Sequence, residues 1–210
     1  MTRAGLLVTV DGPGGVGKST AIAVLLDQLA AAGLPVYGTT EPSRAPAGEL
    51  ARNQTHIYHG RALAHLVAAD RYHHLETEIL PALARGEIVV CDRYLPSSLV
   101  FQRLDGLDID TILRINEGVT PPDLAIILTA HPDVIQARLR ARGSHSRFED
   151  DPATTWHEVR LYHETADLLR NNGITVEVVD SSSLTPAQIA DAMFHPIVAL
   201  WRHRVDQAAR

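Results

Sequence analysis

The chain has 210 residues and a formal net charge of −6, with 45% hydrophobic and 21% charged residues. This length suits one domain with a substantial core, or at most two small domains, and the composition is ordinary for a soluble globular protein. The negative charge argues against a broad nucleic-acid-binding surface, although it leaves room for a local basic groove. No apolar stretch approaches the length of a membrane span and the chain leads from Met1 directly into a strand. We therefore expect no signal peptide, no membrane partner and a cytoplasmic location.

Short apolar segments alternate along the chain with segments of helical periodicity. This alternation is typical of a parallel α/β sheet, so we predict a single domain over residues 1–210. The predicted strands are Leu6–Asp11, Pro35–Thr40, Glu87–Asp92, Asp123–Leu128 and Ile174–Val179. The predicted helices lie at about Lys18–Ala32, Gly48–Thr55, Ala62–Arg85, Asp133–Arg142 and Thr154–Asn172. A final helix is predicted to begin at Thr185, where Thr-Pro-Ala-Gln resembles a capping box.

The segment between the first strand and the first helix fits a phosphate-binding loop. Residues 12–19 read Gly-Pro-Gly-Gly-Val-Gly-Lys-Ser, which matches GxxxxGK[ST] in the strand–loop–helix context that the motif needs. Glycines let backbone N–H groups turn toward phosphate oxygens, and the helix N-terminus adds its positive dipole. Lys18 can bridge the β- and γ-phosphates, and the Ser19 hydroxyl can bind Mg²⁺. The residues predicted to hold the phosphates of a nucleoside triphosphate are Gly12, Gly15, Gly17, Lys18, Ser19 and Thr20.

Polar residues follow the second and third predicted strands, at the sheet edge where the phosphate loop opens. Ligands of open α/β sheets bind at this edge. Asp92 can hold Mg²⁺ or its water, Arg93 can grip a second phosphate, and Arg44 is another candidate phosphate ligand. A structural Asp–Arg pair and an exposed loop charge are the alternatives. For Arg71, within the third predicted helix, residue type leaves a surface position and a contact with an acceptor base both open.

Residues 143–153 have the properties of a lid. Gly143 and Pro152 bracket this segment, and a predicted helix lies on either side. Arginines are densely spaced here, at positions 138, 140, 142 and 147. A closing lid can bring arginines to the charge of a transferring phosphoryl group. The alternative is a solvated basic helix face, which we favour for Arg140.

The single cysteine and the eleven histidines give no sign of further chemistry. Cys91 cannot form an internal disulfide, and because it follows Ile88-Val89-Val90 we predict a buried structural thiol. His56 and His59 are three residues apart, but no cysteine or compact carboxylate cluster completes a zinc site. The predicted metal ligands therefore remain Ser19 and Asp92.

In their order and spacing these motifs resemble the thymidylate kinase family of P-loop nucleoside monophosphate kinases, over nearly the whole chain. The residues that carry the resemblance are Asp11 to Thr20, Thr40-Glu41-Pro42, Ala69-Asp70-Arg71 with His74, Gly86 through Cys91-Asp92-Arg93-Tyr94, Ser97-Ser98 with Phe101-Gln102, Pro122-Asp123 and Arg147-Phe148-Glu149. The resemblance implies a three-layer α/β P-loop fold, with a five-stranded parallel sheet, helices on both faces and a short lid. It also implies a homodimer and the Mg²⁺- and ATP-dependent phosphorylation of a pyrimidine nucleoside monophosphate, dTMP to dTDP.

The resemblance assigns roles residue by residue. It implies that Arg93 holds the acceptor phosphate, Arg71 contacts the base and Phe101 crowds the 2′ side of the sugar. The acceptor-binding set carried over is Arg44, Arg71, Arg93, Ser98, Phe101 and Gln102. Members without a basic residue in the phosphate loop supply it from the lid, which here implies Arg142 and Arg147. The predicted catalytic set is Lys18, Arg93, Arg142 and Arg147, and we expect Arg147→Ala to lower turnover more than ATP affinity.

Three departures from the family pattern lie around the acceptor. Gly14 stands where members commonly carry an acidic residue that contacts the sugar 3′-hydroxyl, and Thr40 stands where an arginine is usual. Val67 stands in place of the aromatic residue that stacks on thymine. These changes keep three alternatives open: a kinase for a modified or different nucleoside monophosphate, a kinase for another small molecule, and a non-catalytic NTP-binding regulatory protein.

Overall fold

The computed structural model describes residues 4–143, 147–149 and 152–208. Its centre is a five-stranded parallel sheet in the order β2-β3-β1-β4-β5. The strands are β1 Leu6–Asp11, β2 Val36–Thr40, β3 Ile88–Asp92, β4 Leu124–Thr129 and β5 Val176–Asp180. The predicted fold class is therefore confirmed, and each predicted strand lies within two residues of its place in the structure.

Helices cover both faces of the sheet. They are α1 Lys18–Ala31, α2 Pro46–Asn53, α3 Gly60–His74, α4 Leu80–Ala84, α5 Leu95–Leu104, α6 Ile109–Ile115, α7 Pro132–Arg142, α8 Pro152–Asn171 and α9 Pro186–Ala208, with a π-helical turn at Leu75–Ile79 and a 3₁₀ turn at Arg147–Glu149. Among the described residues, none of these helices is both long and apolar enough to cross a membrane.

The core has two sides because successive strand residues point to opposite faces. Leu6, Val8 and Val10 of β1 pack with α1 and α9, whereas Leu7 packs with the π-helical turn, α4 and β3. A third cluster joins β4 to α5 and α8. All six residues of β1 and of β4 are buried, which is the pattern of strands covered on both faces. Cys91 is buried in this core, as predicted.

The long third helix predicted over Ala62–Arg85 is a composite of three segments in the structure. Pro81 accounts for the interruption, since it has no backbone N–H to continue the i→i−4 ladder. The chain widens into the π-helical turn before Leu80 and resumes as α4. At the C-terminal end of the chain, the predicted capping box is present, because Thr185 and Gln188 exchange hydrogen bonds with each other.

Helices α5 and α6 were not predicted. For α6 a local signal exists, because the Asp108 side chain accepts the N–H of Thr111 at 2.7 Å as an N-cap. For α5 the capping residue is remote in sequence. Asp11, at the end of β1, accepts the backbone N–H groups of Tyr94 and Ser97, both at 3.0 Å. This contact satisfies donors that no nearby side chain caps, so the start of α5 depends on the tertiary structure.

Candidate functional site

The carboxyl ends of β1, β2 and β3 open into one cleft of about 490 Å³. Its walls come from the phosphate loop, the strand ends, helices α2, α3 and α5, and the lid. The predicted site residues that line it are Gly15, Gly17, Lys18, Ser19, Thr20, Arg44, Arg71, Asp92, Arg93, Ser98, Phe101, Gln102 and Arg142. Two predicted site residues, Gly12 and Arg147, do not line the cleft within the part of the chain that the structure describes. The fold therefore brings most of the predicted donor and acceptor residues into one cavity.

The phosphate loop folds around Lys18. Its ammonium donates to the carbonyls of Gly12 and Pro13, both at 2.8 Å. Burial, followed by the positive charge of Arg93, lowers the pKa of Lys18 to about 7. Gly12 thus serves the loop through its carbonyl rather than by facing the cleft. No residue with a Cβ can take the place of Gly12, because its φ is +148° and the Cβ would lie 2.2 Å from the carbonyl oxygen of Leu128.

Ser19 and Asp92 form an oxygen pair at the edge of the loop. The Ser19 hydroxyl donates to Asp92 Oδ2 at 2.6 Å. The other oxygen of Asp92 is buried and has no hydrogen-bond partner among the described residues. Mg²⁺ prefers oxygen ligands of this kind and is commonly bound through one or two carboxylates together with substrate phosphates. The pair therefore fits a Mg²⁺ site.

Arg93 lies between the phosphate loop and α5. Its backbone is in the left-handed region, with φ of 72°, which is uncommon for a residue other than glycine. One guanidinium nitrogen donates to the Gly12 carbonyl at 3.1 Å and to the hydroxyls of Ser97 and Tyr162 at 3.3 and 3.2 Å. The guanidinium also lies 5.0 Å from the ring centre of Phe101. These contacts hold the charge beside the loop, where it can serve a second phosphate.

Arg71 is almost fully buried, with a side chain that is 2% exposed. Its guanidinium donates to Glu41 at 2.7 Å, to Asn116 at 2.5 Å and to Ser98 at 2.8 Å. Glu41 in turn contacts His74 at 3.3 Å. The network fixes Arg71 at the wall of the cleft, which excludes the surface alternative that residue type left open.

Helix α5 supplies the rest of the predicted acceptor wall. Ser98 and Gln102 are buried, and both line the cleft with Phe101. The Gln102 carbonyl oxygen is buried without a hydrogen-bond partner among the described residues. An amide placed in this way can accept a hydrogen bond from a ligand.

Two arginines of the β2–α2 region line the cleft in different ways. Arg44, which was predicted, has a side chain that is 73% exposed and pairs with Glu49 at 3.2 Å. Arg52, which was not predicted, is half-buried and donates to the Pro42 carbonyl. Arg52 belongs to no motif and does not follow a strand, so no local signal in the sequence marks it as a residue of the cleft.

The two arginines of the lid region differ in position: Arg142, the last residue of α7, lines the cleft, whereas Arg147 binds Asp105 at the end of α5. One Arg142 nitrogen lies 2.8 Å from each carboxylate oxygen of Glu149. Arg147 binds Asp105 at 2.6 and 2.5 Å, and its guanidinium lies 4.2 Å from the ring centre of Phe148. Residues 144–146, 150 and 151 of the predicted lid lie outside the described residues.

A buried carboxylate on α8, which the sequence analysis did not identify, lies against the phosphate loop. Glu158 is 3% exposed, and its carboxylate accepts a hydrogen bond from the backbone N–H of Gly14. Burial raises that pKa to about 7, against the opposing charges of Arg93 and Lys18. Glu158 lies four residues before Tyr162 on the buried face of α8. In the sequence this spacing indicates a core position and not a functional site, so it did not identify Glu158.

Comparison with known proteins decides the family. The family model described as thymidylate kinase matches residues 10–189, which run from the end of β1 through the phosphate loop, the other four strands and the lid region into the start of α9. The chain belongs to the thymidylate kinase family. The fold and the resemblance predicted from the sequence are both confirmed by this match.

Curated relatives carry the same family name. A thymidylate kinase of Xanthomonas oryzae pv. oryzae (strain PXO99A) is 40% identical over 141 residues, which are 66% of this chain and 62% of the relative. One of Xanthomonas campestris pv. campestris (strain B100) is 40% identical over 147 residues, which are 68% and 64% of the two chains. A probable thymidylate kinase of Caldivirga maquilingensis is 38% identical over 148 residues, which are 69% and 72%. The chain thus spans less than two thirds of the length of the two Xanthomonas relatives.

Proposed function

We propose that this protein catalyses the ATP-dependent phosphorylation of a pyrimidine nucleoside monophosphate, and specifically the conversion of dTMP to dTDP. The observation that carries the proposal is the position of Arg93 in the cleft, where its guanidinium contacts the carbonyl of Gly12 and can bind a second phosphate next to the phosphate loop. Membership of the thymidylate kinase family supports the choice of substrate.

In the proposed reaction Lys18 contacts the β- and γ-phosphates of ATP, and Arg93 holds the acceptor phosphate in line with them. Ser19 and Asp92 would hold Mg²⁺, which when bound neutralises charge on the phosphates. Arg142 reaches the cleft from the lid and stabilises the charge that develops during transfer. An acceptor phosphate is already an anionic nucleophile at neutral pH, so no general base is required.

The acceptor nucleoside occupies the part of the cleft walled by α3 and α5. Arg71 offers the base a fixed donor, and Gln102 offers an acceptor that has no hydrogen-bond partner within the described part of the chain. Phe101 lies beside Arg93, where the sugar follows the phosphate. Arg44 and Arg52, at the mouth of the cleft, add positive charge on the acceptor side.

The proposed kinase has a single domain, forms a homodimer and is cytoplasmic. Residues 1–210 would form one kinase domain with a lid at about 143–153, acting as a homodimer in the cytoplasm. The support for the dimer and the location is the family resemblance. The net charge of −6 argues against nucleic acid as a partner.

A coupled ADP-release assay tests the proposal, with ATP, Mg²⁺ and separate thymidine, deoxyuridine, deoxycytidine, cytidine and uridine monophosphates. We expect the highest kcat/KM with thymidine monophosphate, and loss of activity in Asp92→Ala. ATP binding without transfer to any of these acceptors would contradict the proposal and favour a regulatory NTP-binding role.

A second candidate, a kinase for a modified or different nucleoside monophosphate, is favoured by Val67. This residue lines the cleft on the same face of α3 as Arg71, where it presents a small aliphatic surface instead of an aromatic ring. An aromatic stack is worth about 0.5–1.5 kcal/mol beyond its burial. Preference for another monophosphate in the same assay would support this candidate.

A further inference from the structure

We infer that Glu149 is a positioning residue for phosphoryl transfer, which docks the lid on Gly14 of the phosphate loop and thereby holds Arg142 in the cleft. The inference rests on the proposed function for its catalytic meaning. Its structural part, the docking of a lid carboxylate on a loop glycine, stands on contacts of the described residues.

The first observation is the space above Gly14. A Cβ at this position would lie 2.1 Å from Oε1 of Glu149, 2.8 Å from its Cδ and 3.0 Å from its Cγ. The backbone of Gly14 is outside the left-handed region that requires glycine. The local conformation of the loop therefore accepts a side chain here, but a methyl group at position 14 would have to displace the docked carboxylate of Glu149.

The second observation is what Glu149 holds. Both of its carboxylate oxygens lie 2.8 Å from one nitrogen of Arg142, at the end of α7. The Glu149 side chain is only 10% exposed, although it belongs to a short lid turn. A charge-assisted contact of this kind restricts the guanidinium to few orientations, so the carboxylate sets where Arg142 points.

The third observation is that the rest of the turn is anchored as well. Arg147 binds Asp105, and the ring of Phe148 lies 5.0 Å from that of Phe101 on α5. Arg147 and Phe148 thus contact the C-terminal half of α5 and its C-cap, whereas Glu149 is the residue of the turn that reaches the phosphate loop. Position 14 is consequently the point at which the loop receives the lid.

A double-mutant cycle over Gly14→Ala and Glu149→Ala tests this inference. We expect each single variant to lower kcat about tenfold, because small misplacements of a catalytic group are costly, and to change the KM for ATP less than about twofold. The double variant should be no slower than Glu149→Ala, because removing Glu149 frees the space that the new methyl group needs. Glu149→Gln, which keeps the shape and one acceptor oxygen, should recover part of kcat.

Limited trypsin digestion supplies a readout that does not depend on activity. Cleavage after Arg142, measured by mass spectrometry relative to cleavage after Arg85, should be several-fold faster in both single variants and no faster in the double variant than in Glu149→Ala. Glu87→Ala, which removes the partner of Arg85 far from the cleft, is the control for kcat and should match the wild type.

Two results would overturn the inference: a Gly14→Ala variant with the kcat and cleavage rate of the wild type, or effects of the two substitutions that multiply in the double variant. If the wild type phosphorylates none of the monophosphates, the proposed function fails by itself. The digestion cycle then still decides whether Glu149 docks on Gly14.

Discussion

Two glutamate–arginine pairs line the same cleft, and they differ in nearly every physical respect. Glu41 and Arg71 are 3% and 2% exposed, and Arg71 has further partners in Asn116 and Ser98. Glu149 and Arg142 are 10% and 39% exposed and join a short turn to the end of a helix. Breaking a fully buried pair leaves an uncompensated charge, whereas water around the partly exposed guanidinium of Arg142 screens its pair with Glu149. The acceptor wall is therefore held more firmly than the lid, and releasing Arg142 from Glu149 costs less than separating Arg71 from Glu41.

The largest effect that this comparison predicts is on turnover in Arg142→Ala. We expect kcat to fall by about 10³-fold, because an arginine that neutralises the transferring phosphoryl group is worth at least this much. The free energy of unfolding should fall by only about 1 kcal/mol, since Arg142 is partly exposed although its partner Glu149 is mostly buried. Steady-state kinetics and urea denaturation measure the two quantities.

Arg140→Ala, an exposed position on the same helix, is the matched control and should keep its kcat. Arg147→Ala sharpens the test, since Arg147 is tied to Asp105 in the structure. We expect a loss in kcat smaller than about tenfold there. A loss equal to that of Arg142→Ala would show that both arginines act on the phosphates, as the sequence predicts.

On stability, the next largest effect is expected for Arg71→Ala. Removing the guanidinium leaves Glu41 buried without its main partner, so the free energy of unfolding should fall by about 3–5 kcal/mol. Arg44→Ala breaks the exposed pair with Glu49 and should cost less than about 0.5 kcal/mol. Urea denaturation with an unchanged m value measures both, and equal costs would refute the contrast between the buried and exposed pairs.

The smallest effect concerns His74, which completes the buried network, and it depends on pH. Burial acts to lower its pKa, but the hydrogen bond and charge of Glu41, together with Glu78, raise it above the ordinary value of 6.5. A raised pKa in the folded state means that charged His74 stabilises the fold below pH about 6.5, and that this contribution is lost as pH rises through the folded pKa.

His74→Gln should therefore lower the free energy of unfolding by about 1 kcal/mol at pH 5.5 and by less at pH 8.5. Urea denaturation at the two pH values measures the difference. A cost that is the same at both pH values, or larger at pH 8.5, would mean that the charge on His74 does not contribute to the network.

Much of the proposed ATP-binding part of the cleft could be predicted, because the sequence signals for it are local. The spacing of Gly12, Gly17, Lys18 and Ser19, placed between a buried strand and a helix, predicts a phosphate loop without any distant contact. Asp92 and Arg93 follow the end of β3, and parallel strands bring their carboxyl ends to one edge. Their contacts with Ser19 and Gly12 in the structure agree with that reasoning.

The lid could not be predicted to the same depth. Residue type does not distinguish Arg142 from Arg147, because both are arginines near the same insert. Their partners distinguish them: Glu149 for one and Asp105, 42 residues away, for the other. Likewise Arg52 and Glu158 carry no motif, and their relevance becomes visible only when α2 and α8 pack around the cleft.

Local sequence patterns were sufficient to predict the parallel α/β fold, the phosphate loop and the family, because alternating periodicity, turn glycines and fixed motif spacing are encoded within short stretches of chain. The start of α5 depends on packing, since its cap is Asp11 of β1, and so does the difference between Arg142, which lines the cleft, and Arg147, which does not. The tertiary structure also placed the carboxylate of Glu149 where a Cβ at position 14 would lie. These features depend on charges and volumes that meet across large separations in the chain, and no local pattern records them.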